Sequence, residues 1–329
     1  MKILNITLLI ICFLSAALAQ NRFSIEILDE EAHQFLEVDS EIIELARGFT
    51  WTEGPLYLPE ENTLLFSDIP ENMVLKIDSE GRLSEYLHPA GYLGESFTGT
   101  EPGSNGLLLS PEGELVLMQH GERRVAKMLA PTQAPRPEYQ SLVGHYHGKR
   151  LNSPNDGAYD REGNLYFTDP PYGLPKGMED PDKELGFQGV YCLLVNDELV
   201  LVDTLSRPNG IALSPDERKL YVAVSDPGHA VWYEYDVVRP GRVKNKKLFY
   251  DVTHLIGQEG QQGLPDGMKM HSRGYLFASG PGGIWIFNVE AKPIARIYTG
   301  ERTSNCAFSA DEKTLFITAD DYVLAVELK

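Results

Sequence analysis

Six times along the chain a polar residue opens a short apolar run, a turn follows, and a second apolar run follows the turn. The copies open at Glu53, Asn105, Asn155, Asn209, Asp266 and Asn305, at successive intervals of 52, 50, 54, 57 and 39 residues. In each copy the second run begins ten or eleven residues after the polar one, at Leu64, Leu115, Leu165, Leu220, Leu276 and Leu315. The runs are rich in Leu, Val, Tyr and Phe and are bounded by Gly, Pro, Asp, Asn or Ser, which predicts strands joined by tight hairpins. Long amphipathic helical patterns are scarce. Repeats of ~40–50 residues holding several strands each are the signature of propeller blades. The expected fold is therefore all-β: a six-bladed β-propeller with four antiparallel strands per blade.

The short last interval sharpens this. About three strands fit between Asn305 and Lys329, so the missing outer strand is expected from residues 41–49, closing the ring by pairing the two ends. Residues 20–40 would be a leader strapped across the outside, and residues 41–329 a single propeller domain. Residues 1–19 read as a secretory signal peptide: Lys2 is the positive start, residues 3–14 carry no charge, and Ala17-Leu18-Ala19 is a small-residue cleavage site. Export to the periplasm or outside the cell is expected, with no membrane association after cleavage. The residues from Tyr172 to Phe187, rich in Pro, Gly and charge, predict a long surface loop near an opening.

Composition adds limits. The 329 residues would suggest two domains by length, but the repeat makes them one ring. A net charge of −19 argues against a nucleic-acid partner or an anionic membrane surface. Cys192 and Cys306 remain after signal removal; an exported compartment permits a disulfide, and two small buried apolar side chains are the simpler expectation.

Radial blades place equivalent residues on a ring, so the six opening residues converge on one mouth of the central channel. Asn-Gly and Asp-Gly also form turns, but Glu53 occupies the same slot and is a poor turn former. Two carboxylates with several amide oxygens make a hard oxygen site. Such a site favours calcium, with magnesium, manganese or zinc as substitutes. Asp68, Asp169 and Asp226 recur after second strands and read as turn residues.

At these residues the sequence resembles the SMP-30/gluconolactonase/regucalcin-like family of six-bladed propellers. The resemblance rests on the order and spacing of several short motifs. These are Thr52-Glu53-Gly54-Pro55, Phe66-Ser67-Asp68-Ile69-Pro70, His120-Gly121-Glu122-Arg123-Arg124, Asn152-Ser153-Pro154-Asn155-Asp156-Gly157, Phe167-Thr168-Asp169-Pro170-Pro171-Tyr172, Arg207-Pro208-Asn209-Gly210 and Leu264-Pro265-Asp266-Gly267-Met268. It implies a divalent cation, usually calcium, with Glu53, Asn209 and Asp266 as its main ligands and Asn155 touching the cation or the substrate beside it. It also implies that Asp266 is the acid/base residue and that a small-molecule sugar lactone is opened to an aldonic acid. Some family members carry Arg where Ser153 stands here, which leaves the sugar preference open.

Lactone opening needs a polarised carbonyl, an activated water and a place for the oxyanion. A calcium ion supplies the first and last, and a neighbouring carboxylate serves as base. Asp266 is the candidate, with Asp156 the alternative. Asn105, His120, Asp156 and Tyr172 are candidate substrate contacts; His120 could equally be a structural histidine, and Tyr172 an anchor for its loop. No Gly-x-Ser-x-Gly elbow, H-E-x-x-H, Walker A or dinucleotide motif is present. The competing functions are a related lactonase or arylesterase with a non-sugar substrate, and a non-catalytic calcium-binding propeller.

Overall fold

Six antiparallel sheets arranged around a channel, five of four strands and one of five, account for nearly all of the regular structure in the computed structural model, which describes residues 22–329. The expected signal peptide lies outside the described residues. The innermost strands are Thr52–Leu58, Ser104–Leu109, Gly157–Tyr159, Pro208–Leu213, Met268–Met270 and Thr303–Phe308, and each adjoins the next around a closed ring. Among the described residues no helix is long and apolar enough to cross a membrane.

The second strand of most blades is buried along its whole length, as in Thr63–Asp68, Leu115–Gln119, Leu165–Asp169 and Leu276–Gly280. A blade presses a neighbour on each face, so these strands are continuous apolar runs rather than alternating ones. The inner hairpins are tied by side chains. Ser110 Oγ accepts from Glu112 N and Glu114 N, and Asp160 Oδ1 accepts from Glu162 N and Asn164 N. His271 Nδ1 accepts from Arg273 N in the equivalent turn of blade 5.

The ring is closed as the repeat requires: Ile42–Arg47 pairs antiparallel with Tyr322–Glu327 and completes blade 6. The preceding segment does more than cross the surface. Ser24–Ile27 pairs with Pro293–Tyr298 and becomes a fifth, outermost strand of blade 5. Cys192 lies in blade 3 and Cys306 in blade 6; both are buried and free, so the disulfide that the compartment would permit is not formed. Burial pushes each thiol up to about 12, which keeps both inert.

Candidate active site at the channel mouth

The ring residues owe their position to a break in the sheet. In four blades the pairing between first and second strands shifts at the opening polar residue, between Glu53 and Leu56, Ser104 and Leu107, Pro208 and Ile211, and Thr303 and Asn305. A bulge turns a side chain out of the blade and towards the channel. In the other two blades the inner strand starts just after Asn155 and Asp266. Glu53, Asn105, Asn209 and Asp266 are each followed by a glycine, which close packing on the next blade requires. A Cβ on Gly54 would stand 2.1 Å from Asn105 O, and one on Gly210 2.2 Å from Asp266 O, so each glycine admits the next blade's ring residue.

Five of the six ring residues, Glu53, Asn105, Asn155, Asn209 and Asp266, line one cavity of about 520 Å³ at the channel mouth. The sixth, Asn305, is buried beneath them. Its amide donates towards Glu53 Oε2 at 3.4 Å and Asp156 Oδ2 at 3.3 Å. Asn105 Oδ1, Asn155 Oδ1, Asn209 Oδ1 and Asp266 Oδ1 are all buried without a hydrogen-bond partner. Orphaned acceptors of this kind are costly unless something fills the gap.

The charges demand the same filling. Burial pushes the Glu53 carboxyl up to about 8, and the Asp156 charge adds to this while the Gly54 N–H opposes it. Burial also raises Asp266 well above the carboxylate range, with the Glu53, Asp156 and Glu101 charges pushing the same way. Lys269 partly answers this from within the channel, its Nζ 3.8 Å from Asp156 Oδ2. Among the described residues no group of three or more His, Cys, Asp or Glu side chains stands at metal-ligand spacing. Here the remaining donors are amide oxygens, and two carboxylates with three orphaned amide oxygens fit a hard divalent cation.

A second tier holds the ring in place. Ser67 Oγ donates to Asn105 O, Thr168 Oγ1 to Asn209 O, and Ser225 Oγ to Pro265 O, each from one blade to the next. Ser304 Oγ donates to Thr52 O and closes the circuit across the joined ends. The aspartates that end the second strands clamp the loops that lead into the ring. Asp68 accepts from Thr50 N and Trp51 N, both at 3.1 Å, and Asp169 accepts from Asn152 N and Ser153 N, both at 2.9 Å. Each is the last residue of its strand rather than the turn residue that the sequence suggests, and each sets the approach to a ring residue, Glu53 or Asn155. Replacing Asp169 by Ala leaves two buried N–H groups without an acceptor. A loss of about 2–4 kcal/mol is expected in urea denaturation, with Asp169→Asn retaining part of it.

The remaining residues named from the sequence divide by depth. Tyr172 lines the cavity; burial and then the Asp266 charge raise its phenol, so it stays a neutral hydrogen-bond donor there. Its loop is fastened by Ser153, whose Oγ donates to Pro170 O at 2.6 Å and accepts from Gly173 N at 2.9 Å. Asp156 is not on the cavity wall but lies deeper, between Asn305 and Lys269. His120 is fully buried behind the wall, its Nδ1 3.0 Å from Glu101 Oε2, and Glu101 is the residue that reaches the cavity.

Sequence reasoning missed Glu101, Trp51 and Arg302 on the wall, and Lys269 below it. The Arg302 guanidinium lies 4.8 Å from the Trp51 ring centre and 3.1 Å from Asp320. It also missed the stretch 256–264, which supplies seven lining residues. Only Lys269 carried a signal, as a charge at an inward position of an inner strand.

Fold and site together define a six-bladed propeller with an oxygen-rich ligand site at the channel mouth. The chain belongs to the family described as SMP-30/Gluconolactonase/LRE-like region, which its residues 51–321 match. It is 38% identical over 299 residues to the gluconolactonase of Zymomonas mobilis, covering 89% of this chain and 83% of that one. It is 27% identical over 287 residues to lactonohydrolase oryL of Aspergillus oryzae, covering 79% of this chain and 64% of that one. The solved structure of a gluconolactonase from Xanthomonas campestris superposes with a TM-score of 0.79 at 29% identity, covering 93% and 95% of the two chains. All three relatives are hydrolases.

Proposed function

We propose that the protein is a divalent-cation-dependent lactonase that opens a sugar lactone to its aldonic acid, with calcium the best-fitting ion. The observation that carries this is the set of orphaned oxygens on Asn155, Asn209 and Asp266 beside buried Glu53, at the floor of a cavity of substrate size. The similarity to a gluconolactonase over most of both chains supports the substrate class. The apolar, uncharged stretch that opens the sequence supports action after export.

Glu53, Asn155, Asn209 and Asp266 would hold the cation, and when bound it supplies Lewis-acid polarisation of an ester carbonyl and a counter-charge for the oxyanion. The chain's own residues do the rest. Asp266, ionised when the cation is held, takes a proton from the attacking water on its carboxylate and returns it to the ring oxygen that leaves. Asn105 and the Tyr172 phenol face the same space and orient substrate hydroxyls. Trp51 and the stretch 256–264 form part of the wall around that space.

The test is a substrate panel at neutral pH, with and without calcium, corrected for spontaneous hydrolysis. Aldonolactones are expected to be turned over at least tenfold faster than acyl lactones or aryl esters, and only with the ion present. Preference for aryl esters would assign the site to an arylesterase, and no turnover of any ester would leave a calcium-binding propeller.

A further inference from the structure

The wall of the cavity on the blade 5 side is a single strand-free stretch, residues 252–265, that opens with a 3-10 turn at Thr253–Leu255 and leads straight into Asp266. Residues 256–258 and 261–264 of it line the cavity. Its backbone has little to hold it: from Leu255 to Gln261 the amides bond only within the stretch. Gly257, Gly260 and Gly263 all adopt positive φ, a conformation open to glycine and costly for most other residues.

Leu255, Ile256 and Leu264 pack its ends against the core of blades 4 and 5, and the polar tie nearest the three glycines is one side chain outside the site. Arg296, in the outer strand of blade 5, is buried, with its guanidinium 4.0 Å from the Trp285 ring centre and 4.4 Å from that of Tyr298. Its Nη2 donates to Gln261 Oε1 at 2.6 Å and to Pro281 O at 2.7 Å. Gly282 N donates to Gln262 O at 2.8 Å beside it. The far side of Arg296 faces the added N-terminal strand: its Nη1 is 3.9 Å from Glu26 Oε2, which also accepts from the Tyr298 hydroxyl at 2.8 Å. A chain of contacts thus runs from the N-terminal strand through Arg296 to the cavity wall.

We propose that Arg296 is a positioning residue for substrate binding, holding the 256–264 wall through Gln261 and itself held by Glu26 of the N-terminal strand. It touches neither substrate nor cation; it fixes the shape of the surface that receives the substrate. The proposal rests on the lactonase reading for its substrate but not for the tether itself.

The test uses the full chain with calcium and three variants, Arg296→Met, Gln261→Ala and the pair. Arg296→Met is expected to raise KM for an aldonolactone about tenfold while kcat changes less than threefold. Gln261→Ala is expected to raise KM as well, and the two effects to be non-additive, because both break one contact. A Glu-specific protease reads the tether without any substrate. Cleavage after the exposed Glu259 should be about tenfold faster in either variant. If Arg296→Met folds poorly, Glu26→Gln is expected to give the same pattern with smaller amplitude. Unchanged cleavage in all variants, or additive KM effects, would overturn the proposal. A wild-type protein that opens no lactone would instead overturn the assigned function, while the cleavage rates still decide the tether.

Discussion

Asp266→Asn is expected to lower kcat/KM for an aldonolactone by about 10³-fold or more, with the fold intact. The change removes a proton acceptor, worth about 10²–10⁴ in rate for a positioned acid/base, and one of the two carboxylates among the six ring residues. Asparagine keeps the shape of the side chain, so the loss is chemical. In chelator the variant should melt no lower than the wild type. Asp266 there stands in the unfavourable field of Glu53, Asp156 and Glu101, and the amide relieves it. Asp156→Asn separates the two carboxyls between which the sequence could not choose. Asp156 is off the cavity wall and paired with Asn305 and Lys269, so its amide should cost about tenfold at most. Steady-state kinetics on both variants decides the assignment; an Asp266→Asn enzyme within tenfold of wild type would remove Asp266 from the chemistry.

The repeat made the ring legible because a propeller writes the same short pattern once per blade, and the offset of ten or eleven residues between runs is simply one hairpin. Glu53 and Asp266 stood out as carboxylates in a slot otherwise filled by asparagine. The glycine that follows four of the ring residues was legible only as a turn former. Contact with the next blade's ring residue, which also requires it, joins residues about forty to fifty positions apart that no local pattern connects. The same limit hid Glu101, which follows no repeat, and gave His120 a place on the wall that belongs to its partner. The wall of residues 256–264 was invisible because Gly and Gln there form no periodic element. Its shape is set by Arg296 and, through Glu26, by a strand some 270 residues earlier in the chain.

Removing the divalent cation is expected to abolish lactone turnover and to destabilise the fold in a pH-dependent way. A ligand that binds only the folded state stabilises it by about 2.7 kcal/mol at a hundredfold excess over Kd, or roughly 4 °C in Tm for a domain of this size. The pH dependence follows from Glu53. Its carboxyl titrates at about 8 in the folded chain without the ion, against an ordinary value of 4.5 when unfolded. Between those values the folded state keeps a proton that the unfolded state has lost, so stability falls as pH rises from about 5 to 8 and levels off above. Asp266, raised in the same direction, steepens the fall. With calcium bound the two carboxylates are held ionised by the cation, and the slope should vanish or reverse. Melting curves in chelator and in calcium should therefore lie close together near pH 5 and separate progressively towards pH 8. Glu53→Gln should flatten the chelator series and weaken calcium binding together, because one carboxyl is responsible for both. Parallel curves across that range would mean that the ion binds elsewhere and that the mouth of the channel is not its site.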